Sequence, residues 1–297
     1  MASQLVLSLK RHKSVYDSKI KLLSPAKINL YLNITGKYPG GYRSIESIVE
    51  RISLFDEISI HLKKSPEIKI CSNYNKLQTE DNLCIKAFEL FKKEFNIPYG
   101  CFIFLKKNIP IGSGLGGGSS NAASTLIGLN LILRLGLSNN ELYQFGAKLG
   151  SDVNFFLADS KFALISGRGE KVEPLEIHNK FKHFIIWPGI NVSTKKVYDN
   201  TRVKLTKFFN NVNMLKYSLK KKDAFLIKKS IYNALEGSAF SVSKKLENAK
   251  RILSKNKIFT KLTGSGGAFY TMFSKMSLDN LRNILPKDWS IFEVKTF

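Results

Sequence analysis

The sequence predicts an α+β protein of two lobes, on three observations. Strand-like segments dominate residues 21–72, helical periodicity dominates 194–255, and strand patterns return before the C-terminus. A chain of 297 residues is long enough to bury two modest cores. We therefore expect one lobe over residues 22–175 and a second over 176–297.

Apolar and β-branched residues bounded by turn residues predict the strands of both lobes. In the first lobe they lie at 21–35, 47–62 (as a pair of strands), 67–72, 101–107 and 162–167. In the second lobe they lie at 183–188, on both sides of a glycine-rich turn within 259–275, and at 290–297. Both lobes are therefore expected to contain a sheet.

The predicted helices have recognisable ends at several points. Residues 81–95 place apolar side chains on one helical face, with Asp81 as the expected N-cap. Ser138 and Glu141 have the spacing of a capping box, and Gly150 is expected to end the helix that they open. Further helical patterns cover 121–136, most of 194–255, and 276–285.

A glycine-rich stretch, GSGLGGGSSNAA at 112–123, stands directly before an apolar helical pattern. Small residues at a helix N-terminus leave backbone N–H groups open to an anion, and the helix dipole favours negative charge there. The hydroxyls of Ser119 and Ser120 would add donors. No lysine follows the glycines as in a P-loop, and GxGxxG from Gly112 to Gly117 is a weak signal alone. The stretch predicts a phosphate site, with a purely structural turn as the alternative.

Two charged residues become candidate catalytic residues if this helix binds phosphate. Lys27 lies within a predicted strand, where a lysine more often faces outward, and Asp152 follows a helix end, where an N-cap is the simpler interpretation. A phosphate-binding helix, an acid that accepts a proton and a lysine that stabilises charge are together the parts that phosphoryl transfer requires.

The net charge of +24, with a pI near 9.8, raises the question of an anionic partner. The densest basic cluster is 202–229, with nine Lys or Arg residues and Asp223 as the single acid. No aromatic stacking motif accompanies it. We favour a solvated basic face over a nucleic-acid site, and a phosphate-rich small substrate would also suit the charge. No apolar run approaches the roughly 18 residues that span a bilayer, so no membrane partner is expected.

Cysteine usage and the N-terminus bear on the compartment. Cys71, Cys84 and Cys101 are odd in number and lack CxxC spacing, and the four histidines form no metal motif, so neither a disulfide framework nor a protein-held metal is expected. Reduced thiols fit the cytoplasm. Residues 1–21 are basic and Ser-rich, which resembles a weak transit peptide, although a disordered or strand-like extension is preferred.

Four segments, in this order, resemble the conserved blocks of the GHMP small-molecule kinases. They are SPAKINLYLNITGK (24–37), GSGLGGGSSNAAS (112–124), LGSDVNFF (149–156) and LTGSGGA (262–268). The resemblance implies a two-lobed fold, with an N-terminal lobe like ribosomal protein S5 and a ferredoxin-like α/β C-terminal lobe. GRGEKVEPL (167–175), PGINVSTKKVY (188–198) and NALE (233–236) narrow the resemblance to one branch. That branch phosphorylates the 2-hydroxyl of 4-diphosphocytidyl-2-C-methyl-D-erythritol, on the non-mevalonate route to isoprenoid precursors.

The resemblance also implies roles for individual residues. Asp152 would accept the proton of the substrate hydroxyl, with Lys27 holding the hydroxyl and favouring its ionisation. ATP would be the co-substrate, with Mg²⁺ expected between its phosphates. The implied ATP-binding residues are Lys107, Pro110, Ile111, Gly112, Ser113, Gly114, Leu115, Gly116, Gly117, Gly118, Ser119 and Ser120. The implied substrate-binding residues are Asn29, Tyr42, Arg43, Thr194 and Tyr198, of which the two tyrosines would sandwich the cytosine.

Three positions depart from the family pattern. Arg43 stands where a histidine is expected, Asn154 where a proline is expected, and Gly267 is a minor change in the last block. Arg43 offers only donors, which suit a uracil carbonyl as well as a cytosine carbonyl, so weak discrimination between the two bases is expected. A GHMP kinase for a different small alcohol is the resulting alternative.

Two other classes remain open. A Rossmann-type dinucleotide enzyme would need an acid about 20 residues after the glycines, behind a second strand, whereas the nearest acid, Glu141, lies in a predicted helix. A nucleic-acid-binding protein is a more distant alternative and would show a steep salt dependence of binding. A monomer and a homodimer are equally compatible with the sequence.

Overall fold

The computed structural model describes residues 5–10, 17–38, 43–201, 212–273 and 276–297. The chain divides into two compact units, each discontinuous in sequence. Unit 1 comprises Met1–Ala26, Leu54–Ile109 and Gly116–Ser160, and unit 2 comprises Lys27–Ser53, Pro110–Leu115 and Lys161–Phe297. Two long strands each contribute to both units. The linear division predicted at residue 175 stays a prediction.

The strands are β1 (Val6–Lys10), β2 (Lys19–Lys37), β3 (Arg43–Lys63), β4 (Ile68–Ser72), β5 (Gly100–Lys106), β6 (Phe162–Gly167), β7 (Lys171–Pro174), β8 (Lys182–Trp187), β9 (Tyr232–Asn233), β10 (Lys261–Leu262), β11 (Phe269–Met272) and β12 (Ser290–Lys295). The α-helices are α1 (Leu83–Glu94), α2 (Gly117–Ile132), α3 (Asn139–Leu149), α4 (Val153–Leu157), α5 (Thr194–Asp199), α6 (Val212–Lys221), α7 (Ala224–Ser230), α8 (Glu236–Val242), α9 (Lys244–Lys255) and α10 (Leu278–Ile284). A short 3₁₀-helix covers Asn75–Leu77.

The described part of unit 1 contains four α-helices and a set of strands. The second part of β3 pairs antiparallel with β5, from Glu57 opposite Lys106 to Lys63 opposite Gly100, and β4 adds parallel to β5. Helix α2 packs against α1, α3 and α4. From Ser120 to Ile132 it is buried at all but two positions, because the small and apolar side chains there admit neighbours on every side.

Unit 2 contains a four-stranded antiparallel sheet in the order β10-β11-β8-β12. The first part of β3 pairs antiparallel with β6, which pairs with β7, and the second part of β2 pairs parallel with β9. A hydrophobic core joins residues from the sheet and from helices α5, α8, α9 and α10, including Ile186, Val197, Leu246 and Leu281.

Most predicted elements are confirmed, with two corrections. The capping box of Ser138 and Glu141 is present, and Gly150 is the C-cap of α3. The predicted pair of strands at 47–62 is wrong, because β3 is one unbroken strand here, buried at every position from Ser47 to Ile52 and alternating in burial from Ser53 to Leu62. The predicted cap of α1 is also wrong by one residue, since the side chain of Asn82, not Asp81, accepts from the N–H of Cys84 at 2.9 Å.

Parts of the N-terminal extension and of the basic cluster can be placed. Within the predicted extension, β1 pairs antiparallel with β2, from Val6 opposite Leu22 to Lys10 opposite Lys19. Of the basic cluster, residues 212–229 form α6 and most of α7, and the earlier part lies outside the described residues. In the part of the chain that the structure describes, no helix is long and apolar enough to cross a membrane.

Candidate active site

Helix α2 begins on a glycine in a left-handed conformation. Its N-cap, Gly116, has φ 73° and ψ 15°, and a glycine offers no side chain to the N–H groups of the first turn. The turn consists of Gly117, Gly118 and Ser119, and the N–H of Ser120 closes the first helical bond to the carbonyl of Gly116 at 2.9 Å. Orphan N–H groups and the positive end of the dipole together favour an anion at this helix start.

The glycines before the helix have their own structural reasons. Gly112 and Gly114 have φ values of 66° and 80°, which L side chains rarely adopt. A Cβ on Gly114 would lie 2.3 Å from the carbonyl oxygen of Thr263. These two glycines are thus required by the backbone conformation, and Gly114 also by close packing, whatever the stretch binds.

The partner of this packing is the second glycine-rich turn, within LTGSGGA. The N–H of Ala268 donates to the carbonyl of Ser113 at 2.9 Å, and a Cβ on Gly267 would lie 2.6 Å from the carbonyl oxygen of Gly112. Asn233, from the NALE segment, donates to the carbonyls of Leu262 and Gly264 at 2.8 Å each. Three of the sequence blocks therefore meet within unit 2.

The other predicted ATP-binding residues of the stretch differ in exposure. Ile111 is 37% exposed, whereas Ser113 is buried and its hydroxyl donates to the carbonyl of Pro110 at 2.6 Å. Ser120 is also buried, and its Oγ has no hydrogen-bond partner among the described residues. Ser119 is partly exposed, so its hydroxyl is the better placed of the two serine hydroxyls for a ligand.

Lys107 lies beside the start of α2 in a buried polar cluster. Its ammonium is ion-paired with the carboxylate of Asp56, and both side chains are almost fully buried. Lys107 also donates to Asn121 Oδ1 at 3.1 Å, and Asn121 Nδ2 donates to Asp56 at 2.9 Å. A Cβ on Gly117 would lie 2.9 Å from Lys107 Nζ, which places this positive charge against the first residue of the helix.

Asp56 is the residue of this cluster that the sequence analysis missed. Besides Lys107 and Asn121, its carboxylate accepts from the backbone N–H groups of Asn108 at 2.7 Å and Ile109 at 2.9 Å. Charge-assisted bonds to backbone donors fix the chain where it enters the glycine-rich stretch. The available signal was an acid at an inward position of a strand that alternates in burial.

Asp152 also belongs to unit 1, near the first turn of α2. It occupies the N-cap position of α4, yet its side chain makes no capping hydrogen bond, so capping does not account for this acid. Gly150 precedes it by two residues, and a Cβ on Gly150 would lie 4.0 Å from the Ser119 hydroxyl oxygen. The loop that carries Asp152 therefore lies beside the first turn of α2.

Asn154, which replaces the expected proline, is buried in α4. A Cβ on Gly146 of α3 would lie 2.2 Å from Asn154 Oδ1 and 2.8 Å from Leu157 Cδ1. The two helices therefore approach closely at a glycine, and this contact takes part in fixing the short helix that Asp152 begins.

Lys27 and Asn29 lie in unit 2, on one face of β2. Lys27 is only 4% exposed, contrary to the outward position that is commoner for a strand lysine, and its Nζ donates to Asn29 Oδ1 at 2.5 Å. Asn29 donates through Nδ2 to Ser47 Oγ at 2.9 Å and through its backbone N–H to Thr263 Oγ1 at 3.1 Å. The lysine is thus held by a satisfied polar network in a desolvated position.

The structure gives contacts for some of the predicted substrate-binding residues. Thr194 Oγ1 lies 2.7 Å from Ser265 Oγ, on the second glycine-rich turn. Arg43 Nη2 donates to the backbone carbonyls of Tyr198 at 3.5 Å and Thr201 at 3.1 Å. Tyr42 lies outside the described residues.

Comparisons with known proteins agree on a family. The family model described as GHMP kinases N terminal domain matches residues 82–160, and that described as GHMP kinases C terminal matches 215–291. A protein of Lachnoclostridium phytofermentans named 4-diphosphocytidyl-2-C-methyl-D-erythritol kinase is 35% identical over 86% of this chain and 88% of its own. A Clostridioides difficile protein of the same name is 34% identical over 93% and 95%.

Solved structures resemble the chain over nearly its full length. A crystal structure of 4-(cytidine 5'-diphospho)-2C-methyl-D-erythritol kinase is 26% identical, with a TM-score of 0.76 over 93% of this chain and 98% of the other. A homoserine kinase from Cytophaga hutchinsonii is 18% identical, with a TM-score of 0.73 over 96% of each chain. The second match concerns the fold alone.

Proposed function

This chain belongs to the GHMP kinase family, in the group of 4-diphosphocytidyl-2-C-methyl-D-erythritol kinases, and we propose that it transfers the γ-phosphoryl group of ATP to the 2-hydroxyl of that substrate. The observation that carries the proposal is the identity of 34% to a relative of that name over 93% of the chain. In the reaction the hydroxyl oxygen bonds to the γ-phosphorus, the bond from that phosphorus to the bridging oxygen breaks, and ADP leaves.

The N-terminus of α2 is the proposed site of the ATP phosphates. The glycine N-cap leaves the first-turn N–H groups to a ligand, and Lys107 adds a positive charge beside Gly117. Asp56 holds that charge in place.

The co-substrate is expected to carry Mg²⁺, which neutralises charge on the transferring phosphoryl group. Within the described residues no group of three His, Cys, Asp or Glu side chains could hold a metal by itself. Mg²⁺ takes most of its oxygen ligands from phosphates and water when bound with a nucleotide. The partly exposed hydroxyl of Ser119, in the first turn of α2, is the protein donor that we propose for it.

Asp152 is the proposed general base and Lys27 the proposed charge-stabilising residue. Two observations support Asp152: its side chain makes no capping bond, and its loop lies beside Ser119. The proton of the substrate hydroxyl goes to the Asp152 carboxylate as the oxygen bonds to phosphorus. Lys27, buried and oriented by Asn29, would favour the ionised hydroxyl, because a desolvated positive charge interacts more strongly with a developing negative one.

At the other end of the substrate, Tyr42 and Tyr198 are proposed to stack on the cytosine, a contact worth about 1–3 kcal/mol per base in comparable sites. Asn29 and Thr194 are proposed to contact the substrate. All three cysteines are free, which suits a reducing compartment, and we propose the cytoplasm.

The proposed function is tested by offering ATP with three acceptors: the cytidine-diphosphate-linked methylerythritol, its uridine analogue and unlinked methylerythritol. ADP release is followed by a coupled assay, and the product is identified by mass and by ³¹P NMR. We expect turnover of the cytidine compound, and none in the Asp152→Asn variant beyond a residual rate. Turnover of a different small alcohol, without turnover of the cytidine compound, would favour the alternative GHMP kinase.

A further inference from the structure

The short helix α5 depends on contacts outside itself. It has six residues, which is fewer than an isolated helix needs in order to be stable in water. Val197 is fully buried in the core of unit 2, and the side chain of Ser193 caps the first turn by accepting from Lys196 N–H at 3.4 Å. At the N-terminal end of α5, Thr194 is hydrogen-bonded to Ser265. The last turn of α5 carries Tyr198, the proposed stacking residue.

Arg43 anchors the other end of this helix. The guanidinium, at the start of β3, donates through Nη2 to the carbonyls of Tyr198, in the last turn, and of Thr201, just beyond it. A cation at a helix C-terminus also interacts favourably with the dipole and with the orphan carbonyls. A neutral histidine, the residue expected here in the family, has a single N–H donor, so it could not donate two separate hydrogen bonds to these carbonyls.

We propose that Arg43 is a positioning residue that fixes the last turn of α5, and through it the ring of Tyr198 against the pyrimidine. In this proposal Arg43 acts through the two backbone carbonyls that its Nη2 group contacts and does not read the edge of the base. The proposal rests on the proposed function for the identity of the ligand. The proposal differs from the expectation drawn from the sequence. There, the N–H donors of Arg43 contact the base, and the enzyme discriminates only weakly between cytidine and uridine substrates.

The test compares Arg43→Met, Arg43→Lys and Tyr198→Ala, singly and with Arg43→Met and Tyr198→Ala combined. Lys171→Met, which removes a positive charge from an exposed position of β7, is the matched control. We expect Arg43→Met to raise KM for the cytidine and the uridine compounds by the same factor, about 5- to 30-fold, the scale of a weakened stack, with kcat and KM for ATP within twofold. Arg43→Lys should recover part of the loss, because its ammonium keeps the positive charge and N–H donors but lacks the fixed planar geometry of the guanidinium.

The double variant separates a positioning role from an independent one. When Tyr198 is already alanine, Arg43→Met should change KM by less than about twofold, because the ring that it positions is gone. Additive effects would overturn the proposal. A shift of several-fold in the cytidine-to-uridine ratio of kcat/KM in Arg43→Met would also overturn it, since Arg43 would then read the base.

A second measurement does not depend on the substrate. Hydrogen–deuterium exchange of a peptide covering residues 194–201 reports how firmly α5 is held. We expect exchange at least about fivefold faster in Arg43→Met than in wild type or Lys171→Met, and unchanged exchange would overturn the anchoring role. If the wild type does not turn over the cytidine compound, the proposed function fails, and the exchange result still decides whether Arg43 anchors the helix.

Discussion

At the scale of single residues, the sequence identified charged side chains through the motifs that contain them. Lys27 and Asp152 stand in recognisable blocks, and the structure adds that one is buried and the other is not used as a cap. Asp56 stands in no such block. Its importance comes from four donors that are distant in sequence, and the packing that gathers them leaves no local pattern.

The first residue-scale prediction concerns Asp152. The Asp152→Asn variant should lower kcat by about 10²- to 10⁴-fold, because an amide cannot accept the hydroxyl proton, with little change in KM for ATP. Near-normal turnover, measured in the coupled assay, would remove Asp152 from the mechanism.

The second concerns Asp56. Replacing it with leucine leaves the Lys107 ammonium buried without its partner, which should lower the free energy of unfolding in urea by about 3–5 kcal/mol. The neighbouring Glu57 cannot take over the role, because its carboxylate is paired with Lys21 and Lys106. Asp56→Leu combined with Lys107→Met should recover part of the loss, since no charge is then buried alone. An equal or larger loss in the double variant would contradict this account.

At the scale of elements, a helix or strand could be predicted from the sequence when its segment was long enough or carried a local signal. The capping box at Ser138 was predictable because both partners lie within one turn. Strands β9 and β10 have two residues each, and no periodicity can be read from two residues. Their conformation is set by partners elsewhere in unit 2, such as Tyr31 opposite Tyr232.

The element-scale prediction separates phosphate binding from backbone strain in the glycine-rich stretch. Gly118 has a helical backbone, and a Cβ there would meet only Leu83 Cδ1 at 3.8 Å, so alanine strains nothing. A helical Cβ points toward the N-terminus, where the proposed phosphates lie. Gly118→Ala should therefore weaken ATP binding at least about tenfold by calorimetry, with unchanged or slightly higher stability.

Gly114→Ala is the matched control for this prediction. Its Cβ would collide with the Thr263 carbonyl at a left-handed φ, so this variant should lose stability as well as ATP affinity. Unchanged ATP affinity in a folded Gly118→Ala variant would reduce the stretch to a structural turn.

At the scale of the whole molecule, the fold class and the family were within reach of the sequence, and the linear division at residue 175 stays a prediction. A linear boundary assumes that each lobe is one continuous segment. Strands β2 and β3 contribute to both compact units, as does the stretch that leads into α2. Nothing in the local pattern of a long strand indicates where it passes from one core to another.

The last prediction concerns the reactivity of the three cysteine thiols in the folded chain. All three cysteines are free thiols, and Cys84 and Cys101 are almost fully buried, whereas Cys71 is partly exposed. Burial raises the pKa of the Cys84 thiol to about 11 and raises that of Cys101 further, because the thiolate is the form that loses solvation. At pH 8, roughly one Cys84 side chain in a thousand is then a thiolate, the reactive form.

A chromogenic disulfide reagent should therefore titrate one thiol in the native protein at pH 8, and three after denaturation in guanidinium. The native reaction should disappear in Cys71→Ser, while two thiols still appear on unfolding. Rapid reaction of all three in the native protein would mean that the thiols of Cys84 and Cys101 are not shielded. Fewer than three after denaturation without reductant would point to a disulfide and would contradict the free state of all three cysteines in the structure.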